Sequence, residues 1–300
     1  MIASDDAIER RNTLRRLIRT KPKRYAVIWR NFSRNRFAVA GLCLVVVLVL
    51  LAVFAPVIVP REMVVAQDIR NKFLPPGSGH IFGTDQLGRD IFARLLFGSR
   101  VSLTMGFIPM VFSLLMGILL GGVAVYRGGF VESVIMRICD ILSCIPGVLL
   151  ALALVAALGP GLNNVMVAVA IASVPDMTRY VRSVILNIVG LEYIEAARSC
   201  GTGPVRIVAR HVIPNAGGPL ILSAVSNIAS MIMIGAGLSY LGLGVQLPNP
   251  EWGAMLAEGQ NYFMRAPHLM AVPGITMLIA VLSFNLMGDG LRDALDPKLR

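Results

Sequence analysis

The chain has 300 residues, 56% of them hydrophobic and 15% charged, against roughly 45 to 50% apolar and about 25% charged in soluble domains. Together with a mean hydropathy of +0.72, these figures argue against a soluble enzyme and for a membrane solvent. The net charge of +11, from 28 basic and 17 acidic residues, fits either nucleic acid or anionic lipid, and the positions of the charges decide between them.

Eleven of the basic residues lie before Phe37, against only Asp5, Asp6 and Glu9. A polybasic stretch at 1–36 that leads into an apolar run, with Trp29 and Phe32 as interfacial anchors, suits attraction to anionic inner-leaflet lipid rather than nucleic acid. The apolar run from Phe37 to Pro60 is uncharged for 24 residues, longer than the about 7 to 15 of a signal peptide, and no Ala-x-Ala site follows, so an uncleaved first span is expected. The remaining spans are expected near 101–126, 138–158, 164–186, 216–242 and 268–288. Gly159-Pro160-Gly161 separates the third from the fourth. The fold class is therefore all-α, with six crossings of about 20 or more residues each. On this arrangement 21 of the 28 basic residues fall on the side of the two termini, which the positive-inside rule makes cytoplasmic. Cys43, Cys139, Cys144 and Cys200 fall in spans or on that side, where disulfides are not expected. No metal-ligand spacing joins them to His80, His211 or His268.

Between the fourth and fifth spans lies a segment at 187–214. Its helix formers run from Glu192 through Tyr193, Glu195, Ala196, Ala197 and Arg198 to Cys200; Gly201 and Gly203 then make a turn, and Pro204 suits the start of a second short helix. Two readings are open. A polar loop between spans is ordinarily a solvated connector, whereas the small Ala196 and Ala197 leave a helix face that another protein can approach closely.

The order Glu195-Ala196-Ala197, then Gly201, then Arg210-His211-Val212-Ile213-Pro214-Asn215, resembles the cytoplasmic coupling motif of binding-protein-dependent ABC transporter permeases. His211 stands where the general motif has isoleucine, as in the dipeptide, oligopeptide and nickel permease family. Gly83-Thr84-Asp85-Gln86-Leu87-Gly88-Arg89-Asp90, Leu238 to Gly244 and Gly288 to Pro297 are similar to the same family, and the last points to its C-type subunit. The resemblance covers about residues 29–300. It implies an importer of two different permease subunits, two cytoplasmic ATPases and an extracytoplasmic substrate-binding protein. The coupling residues would be Glu192, Tyr193, Glu195, Ala196, Ala197, Arg198, Gly201, Arg210, His211 and Pro214. No cofactor is expected on this chain, which has no Gly-Lys-Ser/Thr phosphate loop; ATP and Mg would belong to the partner ATPases. The solute ranges over dipeptides, oligopeptides, glutathione-like thiols and nickel chelates.

Other residues carry paired readings. Ser223, Ser226, Asn227 and Ser230 recur at helical spacing on the fifth span, either as helix packing or as the wall of a translocation path. Asp140, Asp176, Arg179 and Arg182 are either an ion relay, as a self-sufficient ion-coupled secondary transporter would need, or structural pairs led by Asp176 with Arg179. Asp85 and Arg89 are either a charge-paired helix start or, with Trp252, a contact for the binding protein. Ser239 with His268 as base would make an intramembrane protease, a reading weakened by the apolar neighbours of Ser239.

Overall fold

In the computed structural model, which describes residues 24–77 and 79–295, the regular elements are helices. Residues 1–23 of the basic segment lie outside the described residues. Its last part is α1 (Arg24–Arg34), in which buried Phe32 stacks with exposed Trp29 at 6.0 Å between ring centroids. Asn35 then stops α1 and starts α2 (Arg36–Ile58), because its side-chain oxygen accepts the otherwise orphaned N–H groups of Phe37 and Ala38 at 3.1 and 3.2 Å. The short α3 (Arg61–Val65) follows. A loop then leads to α4 (Ile91–Arg127), capped by Asp90, whose carboxylate accepts the Ala93 N–H at 2.7 Å.

The chain continues through α5 (Gly129–Ser143), α6 (Gly147–Leu158), α7 (Leu162–Val189), α8 (Glu192–Ser199) and α9 (Pro204–Ile207). One π-helical turn at Val208–Val212 joins α9 to α10 (Ile213–Tyr240), and α11 (Trp252–Gln260) precedes α12 (His268–Leu295). By length and apolar composition, α2, α4, α12 and the helix running from Arg210 to Tyr240 can each cross a bilayer, and α5 with α6 makes a fifth crossing if the bent pair is taken as one. At 28 residues α7 is long enough to cross, but Asp176, Arg179 and Arg182 dilute its apolar run.

The single span expected near 138–158 is broken. α5 and α6 meet at an 86° bend, because Pro146 has no N–H to donate and drives Ile145 away from helical geometry. The second long helix begins at Ile91 rather than near Val101, ten residues earlier. The stretch between the fifth and sixth expected spans contains α11, a helix that periodicity alone did not announce.

Apolar surface gains little from leaving lipid for another apolar helix, so close contact between long helices depends on small residues that admit a neighbouring backbone. Gly117 and Gly121 of α4 face α7: a Cβ at Gly121 would stand 2.9 Å from the Thr178 carbonyl oxygen. Gly106 faces Ile232 of α10, and Gly41 of α2 faces the Ser283 carbonyl and Met287 amide of α12 at 2.8 and 2.9 Å. α4 is thus clasped between α7 and α10, with α2 and α12 alongside, and Met105, Met177, Val181 and Ile232 fill the shared core. One end of the bundle gathers Asn35, which donates to Asp293 at 3.3 Å, the 187–215 segment and the end of α12. The other gathers α3, the 66–90 loop and α11.

Gly41→Leu should lower the melting temperature of the detergent-purified protein by several degrees, as expected for overpacking of about 1 to 3 kcal/mol. Gly122→Ala, whose nearest neighbour would lie 4.0 Å away, should leave it unchanged or slightly raised; scanning calorimetry on both variants checks the pair.

Candidate functional site

The 187–214 segment folds as two short helices about a glycine turn. Ile194 is the anchor of α8: it is fully buried and joins the main core together with Ile207 and Val212. Around it Glu192, Tyr193, Glu195, Ala196 and Arg198 are exposed and Ala197 is half-buried. The helix ends on Gly201, whose φ of +75° only glycine adopts readily. Gly201 N–H donates to the Arg198 carbonyl at 2.9 Å and Thr202 N–H to the Ala197 carbonyl at 3.1 Å, the paired bonds of a Schellman stop. A Cβ at Gly201 would meet nothing within 4 Å, so inside this chain the position is constrained by backbone conformation and not by crowding.

The second arm is tied back to α8. Asn215 Nδ2 donates to the Tyr193 hydroxyl at 3.2 Å and to the His211 carbonyl at 2.7 Å, and the Tyr193 and His211 rings lie 6.4 Å apart. The π turn has a direct cause: Pro214 offers no N–H to the chain behind it, and Ile213 N–H reaches five residues back to the Val208 carbonyl. Arg210 and Pro214 are exposed on this arm and His211 is half-buried.

The serine and asparagine stripe of α10 divides. Ser223, Asn227 and Ser230 face a cavity of about 380 Å³ between α6, α7 and α10, together with Ser173, Asp176 and Tyr180. Asn227 Nδ2 donates to the Ser223 carbonyl at 2.8 Å. Ser226 instead faces α12, where a Cβ added to Gly288 would lie 2.9 Å from its Oγ. Arg179 pairs with Asp176 and lies 3.6 Å from Asp140, and Arg182 pairs with Glu132. Arg179 thus pairs within α7 and reaches α5 through Asp140, and Arg182 reaches α5 through Glu132. Ser239 Oγ is buried without a hydrogen-bond partner and crowds Gly244, whereas His268 Nε2 lies 3.4 Å from the Thr84 carbonyl. No serine–histidine pair exists there to run a protease.

At the opposite end the expectation of a docking contact through Asp85, Arg89 and Trp252 is corrected: all three are inside, at 3%, 2% and 0% exposure. Asp85 does pair with Arg89 at 2.6 Å, but in the turn that precedes α4. The same carboxylate oxygen accepts Arg94 at 2.6 Å, and Glu258 of α11 takes Arg89 at 2.5 Å, Arg94 at 2.8 Å and Gln86 at 2.8 Å. Two cations and two anions thus cancel out of water, the condition under which buried charge is tolerable. Trp252 packs over Gly98 and donates Nε1–H to the Leu95 carbonyl at 3.3 Å. Glu251, fully buried, caps α11 through Gly253 and Ala254 N–H at 2.9 Å each and accepts the Ser102 hydroxyl at 2.9 Å. Burial pushes the Glu258 carboxyl up, but the hydrogen bonds and charges of Arg94 and Arg89 outweigh it and hold the group below its ordinary value.

Residues 113–300 match the family described as binding-protein-dependent transport system inner membrane component. The chain belongs to that family. Residues 24–76 match the N-terminal transmembrane domain of oligopeptide transport permease C, which agrees with the C-type reading. A di/tripeptide transport system permease protein of Pseudomonas aeruginosa is 43% identical over 279 residues, 91% of either chain. A glutathione transport system permease protein of Pectobacterium atrosepticum is 44% identical over 272 residues, 91% of this chain and 90% of its own. The likeness to an inward-facing MetNI methionine ABC transporter chain is one of fold, at 21% identity and TM-score 0.57 over 69% of this chain and 98% of that one. This binding-protein-dependent permease is accordingly a multi-pass inner-membrane transport subunit, with ATPases and a substrate-binding protein as the partners its family implies.

Glu251, Glu258 and Arg94 were not singled out from the sequence. The signal available was an excess of charge, Asp85, Arg89, Asp90 and Arg94 on one side and Glu251 and Glu258 on the other, in segments flanking apolar helices. Glu258→Gln should strand one guanidinium out of water and destabilise this end by about 3 to 5 kcal/mol. Because the folded carboxyl sits below its ordinary 4.5, its contribution is complete above that pH and is lost as pH falls through the lower folded value. Thermal melts of wild type below pH 4.5 should therefore converge toward those of the variant.

Proposed function

We propose that the chain is the C-type half of a heterodimeric permease in an ATP-driven importer, and that α8 is its contact with one ATPase. The supporting observation is the construction of 187–215: one aliphatic anchor, Ile194, seats a helix whose other side chains, half-buried Ala197 apart, are exposed, and a glycine stop and the Tyr193–Asn215 bond fix its angle. Such a seat transmits force. A push on α8 reaches α7 directly through Leu191 and α10 through Ile207, Val212 and Asn215, so two of the three helices that border the 380 Å³ cavity move with it. ATP and Mg bind the partner subunits in this reading, and the second permease subunit closes the open side of the cavity.

The proposed arrangement has six crossings, with α5 and α6 sharing one and α7 serving as another, and with α8 and both termini cytoplasmic. The basic residues favour it: Arg127, Arg137, Arg198, Arg206 and Arg210 fall at the α8 end. The solute is a peptide or glutathione-like molecule, because the relatives that match over nine-tenths of the chain carry those names. The cavity wall of Ser173, Ser223, Asn227 and Ser230 offers such solutes weak, exchangeable hydrogen bonds.

Co-expression with the cognate ATPases, the second permease and the binding protein tests the coupling. Gly201→Asp and Glu195→Arg should leave a complex that purifies intact but loses binding-protein-stimulated ATP hydrolysis by about tenfold or more. Gly201→Asn, which tolerates a positive φ, should retain more activity than Gly201→Val. Ion-driven uptake by the chain alone would overturn the reading.

The cavity is tested separately. Asn227→Leu should cut peptide uptake with the complex intact, whereas Ser226→Leu should lower the thermal stability of the complex through its contact with Gly288; the opposite pattern would remove the stripe from the path.

A further inference from the structure

A further cavity lies away from both sites just described. It has a volume of about 740 Å³ and opens at the end opposite α8, bordered by α2, α3, α4, the start of α7 and the turn after α10. Its two charged linings are Arg61 and Arg100. Among the described residues no carboxylate lies within salt-bridge reach of either. Arg89 and Arg94 of the same end, by contrast, are neutralised by Asp85 and Glu258, and Arg265 lies over the Phe73 ring at 4.9 Å.

Position gives the two arginines a common meaning. Arg61 follows the apolar helix α2 by three residues, and Arg100 immediately precedes the uncharged run 101–126. Both therefore stand where hydrocarbon gives way to headgroups, at a level where a guanidinium meets phosphate. Toward the apolar runs of α2 and α4 the cavity wall carries Pro56 and Val101, Phe97 and Leu162 add apolar surface beside them, and Gln246 and Asn249 add hydrogen-bonding groups. Arg61 is also held in place, because Val64 of the same short helix is buried against Ala55, Val59, Ala93 and Leu96.

We propose that this cavity is a binding site for an anionic phospholipid, with the phosphate taken by Arg61 and Arg100 and the upper acyl chain laid along Pro56 and Val101. A free anion would leave the apolar wall unmatched, and the wall descends at hydrocarbon level, where lipid is the available occupant. In the proposed orientation the lipid comes from the outer leaflet. The lipid would add to the contacts that already join α2 and α4 to the α6–α7 turn and the 245–250 segment.

The test uses the assembled transporter with its partner subunits. In native mass spectrometry after exposure to mixed phosphatidylcholine and phosphatidylglycerol, wild type should retain phosphatidylglycerol selectively. Each of Arg61→Gln and Arg100→Gln should weaken retention about fivefold, and the pair about thirtyfold. Arg70→Gln, an exposed arginine of the same end, should change nothing. In Val101→Trp, phosphatidylglycerol brominated on its upper acyl chain should quench the new indole, and the Arg61→Gln/Arg100→Gln background should abolish the quenching. Unchanged phosphatidylglycerol retention in the double variant would overturn the proposal. So would displacement by equimolar inorganic phosphate, which would mean a free-anion site. Weakened docking of the binding protein with lipid retention unaltered would assign the two arginines to a protein contact and would equally overturn it. None of these outcomes bears on ATPase coupling through α8.

Discussion

Two guanidiniums and two carboxylates, Arg89, Arg94, Asp85 and Glu258, share one water-excluded site at the end of the bundle away from α8. Desolvating a single one of these ions would cost several kcal/mol, so each is tolerable only while its opposites stay within hydrogen-bond reach. The consequence is geometric. Asp85 and Arg89 belong to the turn before α4, Arg94 to the first turns of α4, and Glu258 to α11. The four cannot separate without exposing charge to a poor solvent, and so α4, its preceding loop and the segment leading into α12 behave as one body at this end. Glu251 and Trp252 extend the same body along α4 to Ser102, Leu95 and Gly98.

From that fixed end, the long helices carry position toward the other. In lipid their contacts rest on close approach, and the glycine notches of α4 against α7 and α10 supply it. Helices packed this closely slide or rotate between discrete arrangements more readily than they deform. α8 sits at the far end of the two helices that clasp α4, held by Ile194 within the core and exposed on its outer face. A stiff network at one end and a seated but outward-facing helix at the other are what a subunit needs if force applied at α8 is to change the cavity between α6, α7 and α10.

Much of this was legible in the residues. The two-helix form of 187–214 followed from helix formers, two glycines and a proline. The glycine at 201 proved to be a conformational stop, as its place after Cys200 implied. The family followed from motifs. Other features were hidden for definite reasons. Asp85, Arg89 and Trp252 look like surface residues because polar loops and charged turns ordinarily face water; their burial rests on distant partners, Glu258 169 residues away from Arg89 in the chain and the Leu95 carbonyl for the Trp252 indole. The stripe of α10 reads as one face because 3.6-residue spacing places Ser223, Ser226, Asn227 and Ser230 within an arc, yet Gly288 claims Ser226 and the cavity takes the others. The bend at Pro146 was open to prediction from the proline itself but was masked by an unbroken apolar composition on either side.

What the sequence determined alone is whatever depends on local order and on the solvent: apolar lengths matched to a bilayer, helix stops at Gly and Pro, the charge asymmetry along the chain, and the motifs of the family. These are properties of contiguous residues, so hydropathy, backbone conformation and spacing suffice to read them. The tertiary structure alone decided which charges neutralise one another, which polar residues of a helix meet a cavity and which meet a neighbour, and where two uncompensated arginines come to border the same apolar-walled space. Those outcomes depend on distances between residues far apart in the chain, and electrostatic and packing energies are functions of distance in space.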